Sequence, residues 1–136
     1  MLRTLKALAA RVFGHSRSKV PVSVLIILSD APSDGDSTWN ALRLAATLLE
    51  RKSPVRIFVM NDAIDVVRKD GAPAGAEFDL QAMLRDLLPK GGRIKICTTC
   101  VTRCGIGHGE VIPEAIMASM NDLAAWITES DRVVVF

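Results

Sequence analysis

The feature that most constrains the fold is a nearly continuous apolar run at residues 22–28. It reads VSVLIIL, is rich in β-branched side chains and is interrupted by a single serine. Strands of a parallel sheet are buried on both faces and give such runs, whereas a strand with one solvated face alternates apolar with polar residues. The run therefore predicts a central strand of a parallel sheet, and parallel strands need long crossover connections, usually helices.

The rest of the chain supplies helices and strands in alternation. Apolar residues at helical or at alternating spacing distinguish the two kinds of element. Further strands are predicted at 55–60, 93–97, 115–118 and 132–136, and helices at 38–51, 61–67, 80–88 and around 123–127. This order predicts an α/β fold over residues 20–136, a three-layer α/β/α domain with a doubly wound, mainly parallel sheet of about five strands.

Polar side chains stand at the predicted helix starts, where they can accept hydrogen bonds from unpaired backbone N–H groups. The predicted caps are Asp36 or Ser37, Asn61 with Asp62, Asp79, and Ser119 or Asn121. The loop at 29–36 precedes a helix, as a phosphate-binding loop would, but it has one glycine and three aspartates. Because carboxylates repel a phosphate, a simple turn is predicted there.

Length and cysteine content limit the class of protein. A chain of 136 residues, 49% of them hydrophobic, can bury a core as one domain without metal or disulfides. No stretch approaches the roughly 20 apolar residues that cross a bilayer, which argues against a transmembrane protein. All three cysteines lie within 97–104, whereas a secreted disulfide framework spreads its pairs along the chain. A reducing cytoplasm is therefore the predicted location.

Residues 1–19 are predicted to form a separate basic extension. They hold five of the seventeen basic residues and no acidic residue. The remainder of the chain therefore has twelve basic and fifteen acidic residues. This slightly acidic body argues against nucleic-acid binding. Five apolar residues of the extension share one helical face: Leu2, Leu5, Leu8, Val12 and Phe13. An amphipathic segment is predicted, which is either loosely docked on the domain or in contact with a membrane surface or a partner. Its apolar run is interrupted by charged residues, unlike that of a signal peptide.

The cysteines directly follow the predicted strand at 93–97. Cys97 ends that strand, and Thr98 or Thr99 is predicted to cap a short helix through its hydroxyl. Gly105 is predicted to end the helix by adopting the left-handed conformation. The first cysteine is therefore placed at a junction between a strand and a helix.

That position predicts a reactive thiol at Cys97. A thiolate beside a helix start is stabilised by the unpaired N–H groups, and Arg103 and Lys95 add positive charge in sequence. No acidic residue occurs between Asp86 and Glu110 to oppose that charge. A lowered pKa, and the highest reactivity of the three thiols, are predicted for Cys97.

Several of these segments together resemble the DsrE/TusD/YchN-like family of small α/β proteins of sulfur relay. The matching segments are 36–45, 55–63, 97–100 with Gly105 and Ile106, and 119–126. They span most of residues 20–136, while the extension lies outside the pattern. The resemblance implies an α/β fold, a cytoplasmic protein, assembly into trimers or hexamers, and sulfur donor and acceptor proteins as partners.

The same resemblance implies the roles of the cysteines. The family's carriers hold sulfur as a persulfide on a cysteine eight positions before a glycine, and Cys97 and Gly105 keep that spacing. Cys97 is accordingly expected to be the nucleophile, with Cys100 as a resolving or supporting thiol. Many relatives have arginine directly before the glycine, whereas this chain has Cys104 there and Arg103 one position earlier.

Other interpretations of these residues stay open. The cysteines could be small buried core residues, or Cys97 and Cys100 could form a dithiol redox pair. A metal or an iron–sulfur cluster could be held by four residues: Cys97, Cys100, Cys104 and His108. The domain could also be a non-catalytic, oligomeric docking subunit. The prediction adopted is a sulfur carrier without cofactor or metal, in which Arg103, Cys104 and His108 support the two catalytic thiols.

Overall fold

The computed structural model describes residues 20–70 and 76–136, and these form an α/β domain around one five-stranded sheet. The strands are β1 Val24–Leu28, β2 Val55–Val59, β3 Arg93–Cys97, β4 Ile116–Ala118 and β5 Arg132–Val135. The α-helices are α1 Ser37–Glu50, α2 Leu80–Arg85, α3 Thr98–Arg103 and α4 Met120–Glu129, with 3-10 helices at Asn61–Val67 and His108–Glu110. All neighbouring strands are parallel, which confirms the predicted fold class.

The strand order β4-β3-β2-β1-β5 explains how the helices are divided between the two faces of the sheet. From β1 to β4 the chain moves stepwise in one direction, and the buried residues of α1, α2, α3 and the first 3-10 helix share one core cluster. The connection from β4 to β5 runs back in the opposite direction, and α4 lies in a different cluster. Crossovers of one hand place connections of opposite direction on opposite faces.

The larger core lies on the face covered by α1, α2, α3 and the 3-10 helix, called here the helix-rich face. On β1 it takes Val24, Ile26 and Leu28, and alternate residues of β2 and β3 continue the same layer. From α1 it takes Ala41, Leu42 and Ala45, all buried. Trp39 of the same helix is half-buried and stacks on Phe78 with ring centroids 4.7 Å apart.

The opposite side, called here the α4 face, holds the smaller core, whose buried members are Leu25, Ile27, Phe58, Cys97, Ala118, Leu123 and Trp126. Three cations of β2 and β3 surround the Trp126 ring: Arg56, Arg93 and Lys95, at 5.9, 5.8 and 4.6 Å from its centroid. Their long apolar stems cover the sheet while their charges remain at the rim. A single helix thus covers this face in the described part of the chain.

The predicted helix caps are partly confirmed. Asp79 Oδ1 accepts the Ala82 N–H at 3.0 Å, and Ser119 forms a capping box with Asp122. Asp36 occupies the cap position of α1 but makes no side-chain capping bond.

The cap predicted at Asn61 and Asp62 is wrong. The cap position of that 3-10 helix is Met60, whose side chain has no capping function, and Asn61 is already the first helical residue. The amide of Asn61 is instead used for a contact with another strand end, described below.

One prediction, the amphipathic extension at 1–19, falls on residues outside the described ranges. Among the residues that are described, no helix combines the length and apolar character needed to cross a bilayer.

Candidate functional site

The candidate site begins at the junction of β3 and α3, where Cys97 is the last residue of the strand and the cap of the helix. Its Sγ accepts the backbone N–H of Cys100 at 3.3 Å. The prediction that Thr98 or Thr99 caps α3 is therefore wrong. Thr98 instead donates its hydroxyl to the carbonyl of Ala118 at 3.0 Å, which ties the helix start to the neighbouring strand β4.

The end of α3 follows the sequence prediction. Gly105 has φ +70°, in the left-handed region that glycine adopts without steric cost. Its N–H bonds the Thr102 carbonyl at 3.0 Å, and the Ile106 N–H bonds the Val101 carbonyl at 3.1 Å. This pair of bonds is a Schellman motif, with Ile106 buried beneath the last turn. The helix is thus held to six residues, and all three cysteines stay within it or at its ends.

The three thiols differ in their access to solvent. Cys97 is buried, with 3% of its surface exposed, Cys100 is intermediate, and Cys104 is exposed. Cys100 and Cys104 also line an open cavity of about 500 Å³. The full lining is Ser29, Asp30, Asn61, Asp62, Cys100, Arg103 and Cys104. Cys97 lies behind this cavity, connected to it through Cys100.

The cavity collects residues from the carboxyl ends of three neighbouring strands. Ser29 and Asp30 follow β1, Asn61 and Asp62 follow β2, and α3 follows β3. Parallel strands bring their carboxyl ends to one edge of the sheet, where the sites of such folds are found. The sequence predicted a turn at 29–36 after the first strand and placed Cys97 at the end of another strand, but it gave Asn61 and Asp62 only a capping role. Their position directly after the predicted strand at 55–60 was the available signal.

Asn61 connects two of those strand ends. Its backbone has φ 51°, a left-handed conformation that asparagine tolerates better than most residues. Its Nδ2 donates a hydrogen bond to Ser29 Oγ at 2.8 Å, and its Oδ1 accepts the weak S–H donor of Cys100 at 3.9 Å. The side chain therefore bridges the end of β1 to the middle of α3 and orients the Cys100 thiol at the cavity.

The predicted lowering of the Cys97 pKa is wrong. Burial raises the pKa of this thiol, and the adjacent Cys100 side chain raises it further, although the N–H groups of Cys100 and Thr99 act in the opposite direction. Desolvation disfavours the thiolate more than two weak N–H donors can favour it. Local sequence indicated the donors, but the burial comes from distant residues such as Phe58 and Trp126 in the same cluster.

The electrostatic surroundings also differ from the prediction. Lys95 points to the α4 face, where its Nζ lies 3.8 Å from Asp122 Oδ1 and over the Trp126 ring, so it does not line the cavity. Asp30 and Asp62, from neighbouring strand ends, face the same space as Arg103. The cavity thus combines one cation with two carboxylates, a mixture that the charge pattern of the cysteine segment alone did not indicate.

His108 is not brought to the cavity. It begins the 3-10 helix His108–Glu110, is exposed, and does not belong to the cavity lining. Within the described ranges, no three residues among His, Cys, Asp and Glu lie close enough to hold a metal ion. The arrangement therefore gives no support to the metal interpretation, and among the described residues no hydrogen bond joins His108 to a thiol.

The fold and sequence of residues 22–136 have known relatives. Residues 22–136 match the model of the DsrE/DsrF-like family. Protein YchN of Escherichia coli is 31% identical over 115 residues, which cover 83% of this chain and 97% of YchN. The uncharacterized protein MJ0989 of Methanocaldococcus jannaschii is 32% identical over 111 residues, covering 82% and 96% of the two chains.

Solved structures agree with the sequence comparison. The crystal structure of YchN from Escherichia coli superposes with a TM-score of 0.77 at 30% identity, covering 85% of this chain and 99% of that one. A Methanobacterium thermoautotrophicum protein of unknown function, MTH1491, shares the fold with a TM-score of 0.66 at 16% identity. The matched region contains the whole sheet and the cysteine helix. The chain therefore belongs to the DsrE/DsrF-like family.

Proposed function

We propose that this protein is a sulfur carrier that stores sulfane sulfur as a persulfide on Cys97 and exchanges it through Cys100. One observation carries the proposal: the buried Cys97 thiol contacts Cys100, whose side chain lines an open cavity at the carboxyl edge of the sheet. Membership of a family associated with sulfur relay agrees with it. The carrier would act with a donor and an acceptor and needs no bound cofactor.

The pairing of a buried with an accessible thiol suits storage. A persulfide is easily oxidised or reduced, and access of solvent and oxidants controls how fast cysteine sulfur reacts. Cys97 lies in the buried cluster of the α4 face, where its sulfur is shielded. Cys100 is half-buried, and its contact with Asn61 Oδ1 holds its sulfur at the cavity. Of these two thiols, Cys100 is the more accessible and is therefore the one that meets a donor.

Loading takes two transfers of one terminal sulfur atom. In the first, the Cys100 thiolate attacks the terminal sulfur of a donor persulfide R–S–SH, the donor S–S bond breaks, and R–S⁻ leaves. In the second, Cys97 attacks the terminal sulfur now on Cys100, and its proton passes to the Cys100 thiolate that is released. Neither transfer consumes an oxidant or a reductant, because the S–S bond is exchanged and not created.

The test is persulfide mapping on the full-length chain. Reduced protein is treated with inorganic polysulfide, freed of excess reagent, alkylated and digested with trypsin, which cuts after Lys95 and Arg103 and so separates Cys104 from the other two cysteines. We expect one added sulfur on peptide 96–103, assigned to Cys97 by fragmentation. Cys97→Ser should abolish the stable product, and Cys100→Ser should slow its formation.

The control variant is Thr99→Ser, on an exposed position of the same helix that does not line the cavity. It should load like the unmodified chain. Absence of persulfide on every cysteine would overturn the proposal in favour of a docking subunit. A product that lacks added sulfur and has lost two hydrogens would instead identify a Cys97–Cys100 disulfide, the dithiol redox alternative that the same contact allows.

A further inference from the structure

We propose that Cys104 is the exit thiol of this carrier, the residue that receives sulfur from Cys100 and passes it to an acceptor thiol. The inference rests on the proposed function and adds a third step to it. Cys104 occupies the position directly before Gly105, and neither the stored persulfide nor its loading requires this residue. Its placement nevertheless gives the thiols of α3 an order from the interior to the surface.

The order follows from the exposure of the three thiols along the short helix α3 and its two caps. Cys97 is buried, Cys100 is half-buried, and Cys104 is exposed. The Cys104 N–H bonds the Cys100 carbonyl at 3.0 Å, so these two residues stand one above the other on the helix. Both line the same cavity of about 500 Å³. A sulfur atom on Cys100 and the Cys104 thiol therefore share one cavity.

The spacing of Cys100 and Cys104 suits transfer of a terminal sulfur better than formation of a disulfide. Residues four apart on a helix have Cβ atoms about 5–6 Å from each other. A disulfide needs Cβ atoms about 3.5–4.5 Å apart, so closing one here would distort the helix. A persulfide extends the attacked side by one S–S bond, about 2 Å, which fills the difference. The terminal sulfur of the persulfide can therefore lie between the sulfur atoms of Cys100 and Cys104, at a Cβ separation that is too long for a direct disulfide.

The exit sequence balances as three exchanges. First the Cys100 thiolate attacks the terminal sulfur of the Cys97 persulfide, the Cys97 S–S bond breaks, and the released Cys97 thiolate takes up the proton that Cys100 lost. The Cys104 thiolate attacks the terminal sulfur of the Cys100 persulfide, forming a Cys104 S–S bond, breaking the Cys100 one and releasing the Cys100 thiolate. An acceptor thiolate then attacks the terminal sulfur on Cys104, which leaves as a thiolate while the acceptor becomes the persulfide. Protons lost by the attacking thiols are taken up by the released thiolates, and no redox partner is needed.

The exit step is tested by release after loading. The full-length chain is loaded with inorganic polysulfide, desalted and mixed with 2-mercaptoethanol as the acceptor, and samples are alkylated and digested over time. We expect the sulfur on peptide 96–103 to disappear while a transient persulfide appears on the peptide that begins at Cys104. Because the intramolecular attack has a high effective concentration, release from Cys104→Ser should be at least about tenfold slower.

Two further variants complete the design. Cys104→Ala should behave like Cys104→Ser, which separates loss of the thiol from any effect of the introduced hydroxyl, and Thr99→Ser should release sulfur at the unmodified rate. Equal release rates with and without Cys104 would overturn the inference. So would accumulation of a Cys100–Cys104 disulfide, because it would contradict the spacing argument.

The outcome also separates this inference from the proposed function. If no variant acquires sulfur on peptide 96–103 during loading, both fail together. If loading is normal in Cys104→Ser and release is unchanged, only the exit role fails and storage on Cys97 stands. A loaded Cys104→Ser variant that releases slowly supports both.

Discussion

The thiol of Cys100 donates a weak hydrogen bond to the side-chain oxygen of Asn61, with 3.9 Å between Sγ and Oδ1. This contact joins the helix after β3 to the residue after β2, and the Asn61 amide extends it to Ser29 after β1. Three strand ends are therefore connected by one side chain that no local pattern marked as functional. The first prediction concerns that side chain.

Substitution of Asn61 separates its backbone role from its side-chain role. Asn61→Ala should lower the free energy of unfolding by about 1–2 kcal/mol, because the left-handed conformation at φ 51° is sterically unfavourable for alanine. Asn61→Gly removes the same side chain without that steric cost and should be more stable than Asn61→Ala. Urea unfolding measures both. Equal destabilisation by the two substitutions would show that the lost amide contacts, not the backbone, dominate.

The second prediction concerns the order in which the thiols react. With a neutral alkylating reagent near neutral pH, Cys104 should be labelled first, Cys100 next and Cys97 last, since their exposure falls in that order. The raised pKa of Cys97 adds to its protection. Peptide mapping after partial alkylation gives the order, with the denatured chain as the control. Labelling of Cys97 ahead of both others would restore the assignment that the sequence favoured.

The third prediction is a loss of stability at alkaline pH that depends on Cys97. Its folded pKa lies above the ordinary thiol value of 9.0, chiefly because the thiol is buried. Above that ordinary value the unfolded chain loses this proton while the folded chain keeps it, so stability falls as pH rises toward the folded pKa. Below it both states hold the proton, and the contribution is fully present.

The matched comparison is Cys97→Ala, which lacks the titrating group. Thermal unfolding in reductant near neutral pH and at about pH 10 should show a smaller alkaline decrease for Cys97→Ala than for the unmodified chain. The variant is expected to be less stable at both values because it leaves a small cavity. Identical alkaline decreases in the two proteins would contradict the role given to burial.

The fourth prediction concerns the basic extension. Removal of residues 1–18 should leave a domain that unfolds cooperatively, because the alternating strand–helix pattern of the sequence begins only at Val20 and the described sheet begins at Val24. Circular dichroism during heating of the truncated and full-length chains tests this. A truncated chain without a cooperative transition would place the extension in the core.

The fifth prediction is self-association, which the family resemblance implied. On the α4 face, the edge strand β5 leaves Val133 and Val135 exposed at 41% and 63%, and Ile127 of α4 is exposed nearby in the chain. Exposed apolar side chains in a group favour contact with another subunit. Light scattering at micromolar concentration in reductant should give a mass above that of one chain.

Val135→Lys examines whether β5 contributes to that contact. A lysine on an edge strand discourages association, so the variant should have a lower average mass at the same concentration. Thr128→Lys, exposed on α4, serves as the charge-matched control. A mass of one chain for the unmodified protein at every concentration would contradict self-association itself.

The elements of the fold could be predicted from the sequence because each depends on short-range patterns. The apolar run at 22–28 indicated a buried parallel strand, and β1 is buried at all five of its residues. The alternation of polar and apolar residues before Cys97 placed this residue at a strand end. Gly105 was placed at a helix end because glycine adopts the left-handed conformation without steric cost. These predictions hold in the folded structure because they depend on residues that are close together in the chain.

The chemistry of the site depended on the tertiary structure. Cys97 has a raised pKa because Phe58, Ala118 and Trp126 share its buried cluster, and their distance along the chain conceals this from a local pattern. Likewise, Asn61 and Asp30 reach the cysteine helix only because β1, β2 and β3 are adjacent and parallel. The sequence by itself determined where the thiols stand in the chain. Strand order and burial decided which of them is shielded and which faces the cavity, since desolvation and long-range contacts arise only when distant segments pack together.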